Sequence, residues 1–406
     1  MCRLLSFILL IFCMAFVCSA FTCSSYPAQA VPDAPDVLQD APPPVESAPE
    51  SLLLTFAGDL MAHTVNFNMK DYAPIYADIE ELLHADDLSF VNVETPVCDA
   101  LPLSTYPRFN VHTPYLRAAA DAGFDVFGFA NNHTNDQKTA GIDGSLAAIR
   151  MLQKEREASE TAAQPLFFSG LKDTAKEAIR VTRISHKGWN ILFCAVTELL
   201  NSYDVSKNRL YYSAPTKEGR AALLSIIRDA RTQYPCDLFV LAVHLNEPEY
   251  IRTVAQSKKE WFKQLGEAGA DIIWAHHPHV MQMWETIDVE RPTSLSPEEN
   301  GTELHKVFCM YSMGNFISGQ RWTVHYDDPS YYREYTGDAV LLQLAYTRSD
   351  SSHAADFTVL PVLITQYNEP YPVVKRFTQE WMDTLNEKEK NYFTSRFALM
   401  KAYLPF

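Results

Sequence analysis

From Ser51 onward, short apolar runs recur, most of them followed by a polar loop and then a helical stretch. This alternation limits the possible folds more than any other feature of the chain. The runs are SLLLTFAGD, LSFVNVET, DVFGFANNH, NILFCAVTE, DLFVLAVH, DIIWAHHPH and KVFCMYSMGNF. Between them, PYLRAAADAGF, GIDGSLAAIRMLQKE, KEGRAALLSIIRDARTQ and KKEWFKQLGEAGA carry helical spacing. Strands alternating with helices predict a layered α/β fold, in which ligands gather at the loops that follow the strands. After Asn315 the runs lengthen into DAVLLQLAYT and ADFTVLPVLIT, which read as antiparallel strands, and RFTQEWMDTLNEKEKNYFTSRFALM reads as one packed C-terminal helix.

Most of the apolar runs end in residues that bind metals or protons. Asp59 follows LLLTFAG, Glu94 follows SFVNV, Asn131, Asn132 and His133 follow VFGFA, His244 follows LFVLAV, and His276, His277 and His279 follow DIIWA. Solvating loops would use Lys, Ser and Gly more freely than His and Asn. Carboxylate, amide oxygen and imidazole together are the ligand set with which two-metal hydrolases hold Zn, Mn or Fe. Asp59 and Glu94 would be the charged ligands, and Asn132, His244, His277 and His279 the neutral ones. With so few carboxylates, much of the charge of one or two divalent ions would remain for an anionic substrate.

In HHPH the proline is expected to hold the backbone extended, so that His277 and His279 point the same way and His276 faces away, as a structural residue or one that supports the ligands from outside. Asn131 reads as a turn residue. Asp136 has two possible roles: orienting His133, or capping the helix that follows. In SMGNF, Gly314 permits a tight turn that could aim Asn315 into the site or leave it as a turn amide. Arg108 in RFNVH is the one cation near the early motifs, a surface residue or a clamp for an anion.

The net charge of −16, from 34 basic and 50 acidic residues, argues against nucleic acid or an anionic membrane surface as the main partner. Residues 1–23 have one Arg, an apolar core and small residues, as an export signal does. Cleavage follows Ala20, or AFTC is a lipoprotein signal with acylation at Cys23, or the segment is retained as an anchor. Residues 24–50 are Pro-rich and predict an extended, disordered linker. The domain is expected over 51–345, with 346–406 completing it by a strand and a helix. The remaining Cys98, Cys194, Cys236 and Cys309 are widely spaced without CxxC, which excludes a zinc ribbon.

FAGDLMAH, FVNVETPV, GFANNHTND, LAVHLNEPEY, AHHPHVMQ and YSMGNFI fall in the order and spacing of the CapA-type bacterial capsule proteins associated with poly-γ-glutamate. The resemblance covers about Leu52 to Gln320. It implies a four-layer, metallophosphoesterase-like β-sandwich flanked by helices, exported and attached to the cell envelope through the N-terminus. It also implies a role in making, exporting or processing an anionic polymer or capsule precursor, alongside membrane synthase subunits. By the resemblance, Asp59 is the first metal carboxylate, Glu94 the bridging one, Asn132, His244, His277 and His279 the neutral ligands, and His133 the general acid or transition-state stabiliser.

Two positions depart from the pattern. Met61 stands where a metallophosphoesterase has a His, with His63 the possible replacement, and HLNEPEY leaves open whether Glu247 or Glu249 faces the site. Three functions follow: a metal-dependent hydrolase or transferase, a non-catalytic binding accessory with a degenerate site, or a general phosphodiesterase.

Overall fold

The computed structural model describes residues 51–159, 164–292, 301–349 and 352–406. The expected signal and linker, residues 1–50, lie outside them. In chain order the strands are β1 (Ser51–Leu60), β2 (Leu88–Val93), β3 (Val126–Gly128), β4 (Phe167–Ser169), β5 (Thr182–His186), β6 (Trp189–Thr197) and β7 (Leu238–His244). They continue as β8 (Ile272–His276), β9 (Trp284–Pro292), β10 (Thr302–Met310), β11 (Asn315–Ile317), β12 (Asp338–Ser349), β13 (Ser352–Tyr367) and β14 (Val373–Arg376).

These strands form two mixed sheets. The first runs β14-β13-β12-β1-β2-β3-β4, with β11 pairing parallel beside the end of β1; the second runs β5-β6-β7-β8-β10-β9. β1 to β4 pair in parallel, as do β6, β7, β8 and β10, so the C-terminal ends of the central strands lie along one edge of each sheet.

The sheets meet face to face through aromatic side chains. Phe56 stacks on Phe90 with ring centroids 4.6 Å apart, Trp274 of β8 packs edge-on to both, and its indole N–H donates to the Ala57 carbonyl at 3.0 Å. Each such ring removes enough apolar surface from water to contribute about 2–3 kcal/mol. Strand alternation decides what lies on each side. In β2, Leu88 and Phe90 face the second sheet, while Val91 and Val93 face the helices Thr113–Asp121 and Lys138–Ala158. Helices Lys217–Gln233 and Gln256–Ala268 cover the second sheet with Leu223, Ile227, Trp261 and Leu265. The result is the four-layer helix–sheet–sheet–helix sandwich that the resemblance implied.

The C-terminal segment departs from expectation, being two helices, Gln379–Thr384 and Glu387–Tyr403. Asn386 breaks the run by capping: its side chain accepts the Glu389 N–H at 3.0 Å, and the Glu389 carboxylate accepts the Asn386 N–H at 3.1 Å. The strands β12, β13 and β14 extend the first sheet past β1.

Candidate metal centre

The register of β1 slips between Phe56 and Asp59 against β2. Leu52, Leu54 and Phe56 face the second sheet, so plain alternation would turn Gly58 inward; the slip turns Asp59 inward and sends Leu60 to the helical side. The close packing of β11 calls for glycine at 58, because a β-carbon there would stand 2.1 Å from the Gly314 carbonyl oxygen.

Asp59 lies opposite Asn92 of β2, whose amide donates to Oδ1 at 2.8 Å; Nδ1 of His276 lies 2.6 Å from the same oxygen. Oδ2 has no hydrogen-bond partner, and Nδ1 of His279 is 3.5 Å away. Glu94 follows β2 on the same face as Asn92. Neither of its oxygens is hydrogen-bonded, and Nε2 of His244 and Nε2 of His279 lie 3.7 Å and 3.9 Å from Oε1. Asp59, Glu94 and His279 offer ligand atoms all within 4.8 Å of one another.

Burial opposes ionisation of Asp59, yet the imidazoles of His276 and His279 hold its carboxyl well below the usual range. Burial, and then the charge of Asp59, push Glu94 well above it. Burial keeps His244 neutral and takes His277 down to about 4, so both imidazoles are in the form that binds metals. Both ring nitrogens of His244 and Nδ1 of His277 lack hydrogen-bond partners. Buried polar atoms are rarely left unpaired. This donor set fits the divalent ion that the strand ends implied.

The HHPH turn is not extended. His277 has φ 106° and His279 φ 57°, and the chain bends there after β8 ends. His276, expected to face away, points inward because it shares the face of Trp274 two residues earlier; their rings are 4.5 Å apart.

Beyond β3, Asn131 is a turn residue: its amide donates to the Val93 carbonyl at 2.8 Å and its oxygen accepts the His133 N–H at 3.2 Å. Asn132 donates to Asn201 at 3.1 Å and leaves its own oxygen unpaired. Nδ1 of His133 lies 2.7 Å from Asp136 Oδ2, which also accepts the Phe109 N–H at 2.9 Å. The helix from Lys138 is preceded by Gln137 with no side-chain cap, so Asp136 orients His133 and does not cap. With Nδ1–H directed at a carboxylate, Nε2 is the nitrogen left to exchange a proton.

Asn315 Oδ1 lies 3.1 Å from His279 Nδ1, and its amide is held by Ser318, Gln320 and the Thr336 carbonyl. Gly314, at φ 67°, makes the turn that brings it there. His63 accepts the Gly319 N–H at 2.9 Å through Nδ1 and stands 5.0 Å from the Phe109 ring, which packs on His133. Met61 is buried, its carbonyl accepting the Tyr115 hydroxyl at 2.7 Å. Glu247 is drawn away to Lys258, while Glu249 lines a cavity of about 400 Å3 together with Arg108, Asn132, His133, Lys138 and Asn201. A larger cavity of about 470 Å3 lies at the opposite ends of β2 and β3, beside Asp86 and Asp125, away from these groups.

Asn92 and Asn201 escaped the strand-end reading, which included His276 but expected it to face away. Asn92 and His276 had a signal in strand parity, being two residues from Glu94 and Trp274; Asn201 sits past the end of β6, where NILFCAVTE already ran into polar residues.

Comparison with known proteins agrees with the motifs. The family model described as "Bacterial capsule synthesis protein PGA_cap" matches residues 53–320, a span that holds Asp59, Glu94, Asn132, His244, His277 and His279. Capsule biosynthesis protein CapA of Bacillus anthracis is 26% identical over 313 residues, covering 72% of this chain and 66% of that protein. PGA biosynthesis protein CapA of Bacillus subtilis (strain 168) is 25% identical over 334 residues, covering 80% of this chain and 74% of that protein. A hypothetical protein of known structure from Thermus thermophilus superposes with TM-score 0.39 at 12% identity, over 77% of this chain and 98% of that one. The chain belongs to the PGA_cap family of bacterial capsule synthesis proteins.

Proposed function

We propose that this protein acts in capsule synthesis as a metal-dependent hydrolase or transferase on an anionic polymer such as poly-γ-glutamate. The observation that carries this is the convergence of unpaired, buried ligand atoms on Asp59, Glu94 and His244 beside the His133–Asp136 pair. Asp59, Glu94 and His279 would hold one divalent ion, with His244, His277 and the Asn132 oxygen supporting it or a second. Mn, Zn or Fe bound there would supply Lewis-acid polarisation of an acyl or phosphoryl oxygen and activate water. As an imidazolium, with Nδ1–H on Asp136, His133 would give its Nε2 proton to the leaving group and be left as the neutral Nδ1–H ring that Asp136 holds in place. Asn315 and His276 orient His279 and Asp59 as outer partners of the ligands do.

Its working place in this reading is the cell envelope, reached by export and held by the N-terminal segment, near membrane synthase subunits that supply the polymer. No helix among the described residues is long and apolar enough to cross a membrane.

The test is metal content of the purified protein together with release of product from γ-linked polyglutamate. About one or more ions per chain, with turnover that chelation and His133→Ala both abolish while the fold survives, is the expected result. Met61, buried where a ligand would complete the usual set, favours a second reading, a binding accessory with a degenerate site. Polymer binding without turnover at full metal content would favour it.

A further inference from the structure

The cavity at His133 carries two cations that no catalytic step above uses. Arg108 and Lys138 both line it, both are exposed, and neither forms an ion pair with the described residues. Their backbones are set in relation to each other. Gln137, the residue before Lys138, donates from its side chain to the carbonyls of Arg108 and Phe109 at 3.4 and 3.1 Å and to Ser104 Oγ at 3.2 Å. Asp136, one residue earlier, accepts the Phe109 N–H at 2.9 Å. The segment bearing His133 and the turn bearing Arg108 are therefore laced together. Lys138 adopts φ 55°, in the left-handed region that residues other than glycine seldom occupy. No carboxylate of the cavity forms an ion pair with either cation: Asp136 is engaged by His133, and Glu249, still charged, hydrogen-bonds Tyr250; outside the cavity, Asp204 lies close enough to feel the charge of Lys138.

We propose that Arg108 and Lys138 are specificity residues, binding a carboxylate of the substrate next to the bond held over His133. The assignment rests on the catalytic reading of that site. It implies that the repeat unit must carry a free carboxylate beside the reacting bond, and that a neutral chain of the same backbone is discriminated against. Both groups are solvent-exposed, so the effect is moderate and weakens as salt screens it.

The experiment compares γ-linked polyglutamate with the same polymer amidated at its α-carboxylates. The full-length metal-loaded protein is assayed for turnover and, separately, for equilibrium binding at low and high salt. Arg108→Gln and Lys138→Gln should each raise KM and Kd for the carboxylate polymer about three- to tenfold, leave kcat and metal content unchanged, and have no effect with the amidated polymer. Lys154→Gln, on the outer turns of the same helix, should change nothing. Equal binding of the two polymers by the wild type, unchanged KM and Kd in both variants, or the same loss in Lys154→Gln would overturn the proposal. Absence of turnover with the binding differences intact would sink the catalytic reading, and with it the placement beside a reacting bond, and leave only carboxylate binding by Arg108 and Lys138.

Discussion

Nδ1 of His133 lies 2.7 Å from Oδ2 of Asp136, three residues on, inside the turn that follows β3. That contact decides the tautomer of the ring and with it which nitrogen can reach a substrate. Asp136→Asn should accordingly lower kcat about 100-fold and flatten one limb of its pH profile, with metal content unchanged. An unaltered kcat would remove Asp136 from the mechanism.

The Asp59–Glu94 pair, buried and partly unpaired, should make the protein sensitive to chelation. An ion present at about 100 times its Kd contributes about 2.7 kcal/mol to stability. Chelation should lower the Tm of the wild type by several degrees, with recovery on adding Mn or Zn. His279→Ala should show the lower Tm from the start and no recovery. Equal Tm values with and without metal would contradict the assignment.

Burial holds His63 at about 3, below its ordinary value of 6.5. Between these values the folded state binds fewer protons than the unfolded chain, so the His63 contribution to stability is complete above pH 6.5 and falls as pH drops. Glu94, raised by burial, acts in the opposite sense, so the contribution is read as a difference between proteins. The stability of metal-free wild type minus that of His63→Gln should fall by about 1 kcal/mol per pH unit from neutral to about pH 5. Denaturant midpoints at three pH values suffice, and parallel curves would refute it.

Gly58 leaves no room for a side chain, since a β-carbon would meet the Gly314 oxygen at 2.1 Å. Gly58→Ala should cost about 3 kcal/mol or more in denaturant unfolding. It should also weaken metal binding, because Asp59 and Asn315 sit on the two backbones forced apart. Retention of both properties would mean that β11 yields easily.

Strand runs, helix positions and the gathering of Asp59, Glu94, Asn132, His133 and His244 at strand ends were legible in the chain itself, because apolar periodicity and parallel α/β topology together place such residues on one edge. The choice between the two roles of Asp136 was not, since it turns on whether the Phe109 turn or the next helix approaches the carboxylate. Likewise Glu249 rather than Glu247 faces the cavity because Lys258, on the helix that follows this loop, captures Glu247. The direction of His276 was misjudged by local rules, though not its place outside the ligand set: proline in HHPH suggested an extended segment, whereas the strand carries its alternation through His276 and then bends at His277. Composition and periodicity act over a few residues and determine which elements form. Slips of register, such as the one that turns Asp59 inward, depend on a neighbour more than two hundred residues away, β11 against β1, and only tertiary packing decides them.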